Sequence, residues 1–270
     1  MTRRAAARAF AAAALLAATA AGAVWADSGN STGRLGMHGT WDVVRVAVDP
    51  ADQPRWTWRP DDPQLLGREL VIATDALQWD VDGARCNQPQ WNRQPGTWPA
   101  LLAASFPRPP APGRAAAPTP AQMGLDARVD GAGPISVQRP RCTPDADGRI
   151  AAPWDAAWLV QTAADRLLLR HGQALLHLAR RVPGAPPRPS FACSAARTPG
   201  EQALCADVAL AAWDRSVAQA WREARTRRAD ELPRLQAEQR AWLAERERCG
   251  ADAACLRERM QERVLALVQE

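Results

Sequence analysis

The sequence contains no lysine and no tyrosine, and only three histidines and three phenylalanines in 270 residues. Every one of its 34 basic residues is therefore arginine. Together with the abundance of Ala and Pro, this pattern reads as genomic base composition rather than as chemistry. A charge excess is also lacking. Arg3, Arg4 and Arg8 lie in an N-terminal leader that holds no acidic residue, so 34 less these three leaves 31 Arg against 29 Asp and Glu. The formal net charge of +5 thus points to no nucleic-acid partner, which would require clustered basic charge.

Metal-type cysteine spacing is missing as well. Zinc sites place paired Cys about two to four residues apart with further ligands nearby. The closest Cys here are Cys249 and Cys255, and His38, His171 and His177 cluster with none of the six. We expect no metal and no cofactor. Nor does the chain carry a G-x-S-x-G, an H-E-x-x-H, a Gly-rich phosphate loop or a Walker-type motif. A cysteine nucleophile is disfavoured when all six Cys can pair. Paired carboxylates of the glycosidase kind need only meet in space, so spacing does not decide them. The expectation is a binding protein rather than an enzyme.

Long apolar runs are confined to Ala9–Val24. Preceded by three arginines and followed by Val24-Trp25-Ala26, this run has the form of a secretory signal peptide over residues 1–26. An Ala-dominated run is weak for a permanent anchor, which needs roughly 20 strongly apolar residues to cross about 30 Å. With no Cys at the start of the mature chain, a lipid anchor is not expected. The protein should be exported, to the periplasm or beyond, with no stable membrane span after cleavage. An even number of Cys in such a chain reads as a disulfide framework.

Residues 183–190 form a Pro-rich break, read as a semi-rigid linker because Pro removes backbone donors and forbids a continuing helix. Before it, residues 27–182 look mainly β. Trp41–Val48 alternates, Leu70–Ile72 leads through Ala73-Thr74-Asp75 to Leu77–Val81, and Asp165–Arg180 reads as a hairpin with Gly172 at its turn. A Pro/Ala-rich stretch near 107–120 has too few large apolar residues to offset its ordering entropy and is expected to be an extended loop. Cys86 and Cys142 should pair, closing a long loop and contributing roughly 3–5 kcal/mol. Gly39-Thr40-Trp41 resembles the G-x-W that opens lipocalin-like barrels, which suggests a small barrel with a cavity. The plainer reading makes Trp41 a core aromatic, and the same holds for Trp56, Trp58, Trp79, Trp91, Trp98, Trp154 and Trp158. No internal repeat is visible.

Residues 191–270 read as helices. Thr198-Pro199-Gly200-Glu201 is a capping box that opens a short helix ending near Cys205. Asp207 caps a longer one with Leu210, Trp213, Val217, Trp221 and Ala224 on one face. A third starts near Asp230, with Pro233 in its first turn and Leu235, Gln239, Trp242 and Arg246 as its stripe. A fourth, from about Cys255, turns Leu256, Met260, Val264 and Leu267 inward. A bundle of this size has a marginal core without staples. Four Cys allow three pairings; Cys193–Cys205 with Cys249–Cys255 is favoured, and cross-pairing stays open. The fold class is α+β: a small barrel-like, mainly-β domain followed by a disulfide-stapled all-α bundle.

The residues Phe191-x-Cys193, Pro199-x-Glu201-x-x-Leu204-Cys205, Leu210-x-x-Trp213-Asp214, Gln239-Arg240-x-Trp242-Leu243-x-x-Arg246-x-x-Cys249, Cys255-Leu256 and Arg263-Val264 resemble the LprI-type lysozyme inhibitor family. The resemblance spans 191–267. It departs from the family at Trp213, where an aliphatic residue is usual, and at Trp221 and Met260, where Tyr is usual. The resemblance implies a lysozyme as partner and Asp214, Gln239, Arg240, Trp242 and Arg246 as partner-binding or motif residues. An inhibitor must occupy the sugar-binding cleft or cover the catalytic carboxylates, and an exposed Arg can pair with a carboxylate in bidentate fashion. Arg240 and Arg246 are the candidates, and Arg246 is also suited to an interhelical polar network with Gln239 and Asp214. Residues 191–270 hold 13 Arg and 13 Asp and Glu, so they provide no net steering toward a basic enzyme. In a second reading, the β domain binds a small apolar ligand and the helices serve as a structural or protein-interaction appendage.

Overall fold

A computed structural model describes residues 36–51, 58–81, 83–130, 132–144, 150 and 154–269. The leader with its cleavage site, and Trp56, lie outside the described residues. Nine strands form one antiparallel sheet: β1 (Gly39–Val48), β2 (Glu69–Ile72), β3 (Ala76–Trp79), β4 (Arg85–Asn87), β5 (Gln90–Gly96), β6 (Ile135–Arg141), β7 (Leu159–Ala163), β8 (Arg166–His171) and β9 (Ala174–Arg180). Their spatial order is β4-β3-β2-β1-β9-β8-β7-β6-β5.

That order explains the curl. β4 and β5 are the two edges, yet only Gln88 and Pro89 separate them in sequence. Two residues span at most about 7 Å, so the sheet must bend round until its edges approach. The result is a half-barrel. The Cys86–Cys142 disulfide holds the edges there, joining β4 to the end of β6, next to β5, with a Cα–Cα distance of 5.2 Å.

Side-chain alternation loads both faces of the sheet. Leu167, Leu169, Leu176 and Leu178 join Trp41, Val43, Leu70 and Trp79 in one core. Leu168 and Leu175 point the other way and pack with Trp98, Leu101, Met123 and Trp158. This second face is covered by α1 (Trp98–Ser105), a 3-10 turn at Ala121–Met123 and the short α2 (Ala127–Asp130). Covering on both sides accounts for the unbroken leucine runs of β8 and β9. Trp41 is a core aromatic as read from the sequence, fully buried with Nε1 donating to the Met37 carbonyl at 2.8 Å. The expected hairpin is present, and Gly172 takes φ +56 at its turn, where glycine is favoured. In β1 the pairing with β9 shifts between Val43 and Arg45. This bulge leaves Val44 57% exposed.

The Pro/Ala stretch is not extended. It folds back so that the Arg108 amide donates to the Ala116 carbonyl at 2.8 Å. The Arg108 side chain is buried against Asp49, with N–O distances of 2.6 and 2.7 Å. Burial alone would raise the Asp49 carboxyl, but the Arg108 hydrogen bonds and charge outweigh it and hold the carboxyl below its ordinary value. A charge-assisted pair thus replaces the apolar anchoring that the composition lacks.

The C-terminal helices are α3 (Pro199–Ala206), α4 (Val208–Arg227), α5 (Leu232–Glu247) and α6 (Ala253–Gln269). No described helix is long and apolar enough to cross a membrane. Across 183–190 the chain is mostly exposed, but the helices do not hang from it. α4 docks on the loop before β2. Gly67, at φ +74, allows the approach, since a Cβ there would lie 3.1 Å from that of Ala212. Beside it, Arg68 is fully buried and donates to the Leu66 carbonyl and, at 3.0 Å, to Ser216 Oγ. Gln219 reaches the Asp61 carbonyl at 2.8 Å and Arg59 pairs with Glu223 at 2.6 Å, extending the contact along α4.

Candidate functional site

The helical module is built by local signals that agree with one another. Thr198 Oγ1 accepts from the Glu201 amide while the Glu201 carboxylate accepts from the Thr198 amide, completing the capping box of α3. Those two bonds are joined by one from the Arg197 amide, and the backbone donors hold the Glu201 carboxyl below its ordinary value. Gly200 is needed for packing, because a Cβ there would come within 3.2 Å of the Gly250 carbonyl oxygen. Asp207 caps α4 by accepting from the Leu210 amide at 2.9 Å. Asp252 accepts from the amides of Ala254 and Cys255 at the start of α6.

The pairings Cys193–Cys205 and Cys249–Cys255 are both formed, and no described cysteine is free. The first ties the chain entering the module to α3. The second ties the end of α5 to the first turn of α6. Between them, Leu204, Leu210, Trp213, Val217, Leu235, Trp242, Leu256, Met260, Val264 and Leu267 close a separate apolar core.

Four of the five motif residues converge on one groove of about 290 Å³ between α4 and α5, near the end of the 183–190 segment. Asp214 of α4 and Gln239, Trp242 and Arg246 of α5 all line it. Arg246 is 7% exposed and lies across from Asp214, with Nη1 to Oδ1 at 3.7 Å. Its Nη2 donates to Glu247 at 2.8 Å, and its guanidinium sits 5.4 Å from the Trp242 ring centroid. Asp214 also accepts from the Ser190 amide at 2.6 Å, which seats the incoming chain. Gln239 accepts from Arg263 Nε at 2.9 Å, and Trp242 Nε1 donates to the Arg259 carbonyl at 3.1 Å, so α6 orients both from behind.

Arg240 is placed apart from these four. It is exposed and makes no hydrogen bond or ion pair among the described residues. One turn further along α5, on the same side, Leu243 is 37% exposed and lines the groove. Arg240 is thus a neighbour of Leu243 on α5, outside the groove's lining, with its guanidinium donors available. Trp221, Leu243 and Glu201 are also in the lining and were not singled out as site residues from sequence. For Leu243 a signal existed: it falls off the Leu235–Gln239–Trp242–Arg246 stripe and is a large apolar residue on the open side.

Chemically the groove offers aromatic and aliphatic surface and one arginine neutralised by its neighbours, with one free arginine beside it on α5. Most of the groove's lining falls within the stretch that a comparison with known proteins matches. No curated protein and no solved structure matches the chain. Residues 193–267, which span the helical module and both of its disulfides, match the family model Lysozyme inhibitor LprI.

Proposed function

We propose that the protein is an exported, non-catalytic lysozyme inhibitor that acts through the rim of the α4–α5 groove. The observation that carries this reading is the convergence of the family-matched residues on one open groove, with an unpartnered Arg240 beside it. In this reading Arg240 enters the sugar-binding cleft and pairs with a catalytic carboxylate, while Leu243 and Trp221 cover the cleft's apolar wall. Trp242 and Arg246 hold that surface in shape. The disulfides fit residence in an oxidising compartment outside the cytoplasm. The half-barrel is not given a ligand here, because Trp41, Trp79, Leu70 and Leu169 fill its core.

The test is lysis of cell-wall substrate by several lysozyme types, titrated with the oxidised mature protein and with its Arg240→Ala variant. The expected result is dose-dependent inhibition that Arg240→Ala weakens by about a hundredfold, the loss of a charge-assisted bidentate pair. No inhibition at micromolar protein, or equal inhibition by the variant, refutes the proposal as stated.

A further inference from the structure

The junction of the sheet and the helical module forms an open pocket of about 480 Å³. That lies within the range of about 300–1,000 Å³ typical of small-molecule sites, which favour domain interfaces. Its apolar wall comes from both halves: Val43, Val44 and Leu66 on the sheet side, Ala212 and Ala218 on α4. The polar wall holds Arg215, Arg222, Gln219 and Ser190. No Asp or Glu lines it.

The carboxylates nearby are already engaged. Asp42 pairs with Arg181, Asp214 with the Ser190 amide and Arg246, and Glu223 with Arg59 and Gln219. Arg222 is exposed, and its guanidinium makes no hydrogen bond or ion pair among the described residues. Arg215 uses one nitrogen on the Arg188 carbonyl and keeps its other donors. Burial lowers the Arg215 guanidinium from its ordinary value, against the opposing pull of Asp42 and Asp214. Val44 has a specific cause for its exposure. It sits at the β1 bulge, without a register partner on β9, and lines the pocket. Bulges re-aim side chains beside binding sites.

We propose that this pocket binds a small amphipathic carboxylate, an aliphatic acid of medium chain length. Its carboxylate meets Arg215 and Arg222, and its chain runs along Val44 and Leu66. Neither half of the protein forms the site alone, and the proposal stands independently of lysozyme inhibition.

Isothermal titration of the oxidised mature protein with octanoate, octan-1-ol and acetate tests it. Octanoate is expected to saturate a single site, with the uncharged alcohol and the short acid each at least about tenfold weaker. Arg222→Ala should weaken octanoate by about tenfold, and Val44→Asp should abolish its binding. Both residues are exposed, so circular dichroism should show unchanged thermal midpoints. Three results overturn the proposal: no saturation at millimolar octanoate, equal affinity for octanoate and octan-1-ol, or unchanged affinity in either variant.

Discussion

The guanidinium carbon of Arg68 lies 3.3 Å from the centroid of the Trp213 ring, across the boundary between the sheet and the helices. Arg68 is fully buried, and Trp213 is 3% exposed. A buried cation needs compensation, and here it comes from the ring face together with the Leu66 carbonyl and Ser216 Oγ. Trp213 stands where the resemblance leads one to expect an aliphatic residue. The departure thus has a use in this chain: it lets α4 accept an arginine from the sheet.

Replacing Trp213 with Leu restores the aliphatic residue but leaves the cation without its ring. The variant should lose about 2–4 kcal/mol in urea denaturation, combining lost aromatic packing with a poorly compensated buried charge. Adding Arg68→Met should recover part of that loss, because both partners are then apolar. A double-mutant cycle measures the coupling. Additive losses would show that the contact across the boundary does not stabilise the fold.

The Cys86–Cys142 bridge closes a loop with a sequence separation of 56 and joins the two edges of the curled sheet. Substituting both residues with Ala should cost about 4 kcal/mol on the chain-entropy account. Most of the loss should appear in the sheet. Hydrogen exchange would show β4 and β5 losing protection while α3–α6 keep theirs. Uniform loss across the chain would mean that sheet and helices unfold as one unit.

Asp80 provides a pH signature of the same region. Burial raises its carboxyl to about 6, partly offset by Arg68 and by the Glu69 amide, which donates to it at 2.8 Å. A carboxyl raised in the folded state contributes stability that is complete below its unfolded value near 3.8 and is lost as pH rises through about 6. Burial also lowers Arg68 to about 9, so it remains charged throughout this window. Between pH 4 and 7 the wild type should therefore lose about 2 kcal/mol relative to Asp80→Asn, which cannot ionise but keeps an acceptor for the Glu69 amide. Parallel stability curves for the two proteins would show that Asp80 titrates normally.

Local chemistry explains which parts could be read from sequence. The capping box at Thr198, the Gly172 hairpin and the Asp207 cap depend on residues within a few positions of one another, so the elements they define are the expected ones. β5 was not legible: Trp91 is its only large apolar residue, and Pro95 is tolerated because the strand is an edge. α1 is apolar nearly throughout, which gives no helical period to follow. The groove was half legible. Gln239, Trp242 and Arg246 form one stripe and Asp214 was expected beside them, but only the fold brings the Ser190 amide to Asp214. Arg68 was invisible. One arginine among 34 carries no mark of burial, and its partners Trp213 and Ser216 are about 150 residues away.

Arg240 and Arg246 lie on one helix, and their surroundings separate their effects. Arg246 is buried against Asp214, Glu247 and the Trp242 ring. Removing it leaves the Asp214 carboxylate 6% exposed and without its cation, although the Ser190 amide still donates to it. Arg246→Ala should cost about 3 kcal/mol, because breaking a buried pair strands the remaining charge. Arg240 is exposed and unpaired among the described residues, so Arg240→Ala should change stability by less than about 0.5 kcal/mol. Thermal denaturation of the two variants beside lysozyme titrations separates support from contact. Arg240→Ala should weaken inhibition with its melting point intact, whereas Arg246→Ala should lower the melting point and weaken inhibition only to the extent that the groove loosens. If Arg246→Ala abolished inhibition while melting like the wild type, the contacting arginine would be Arg246.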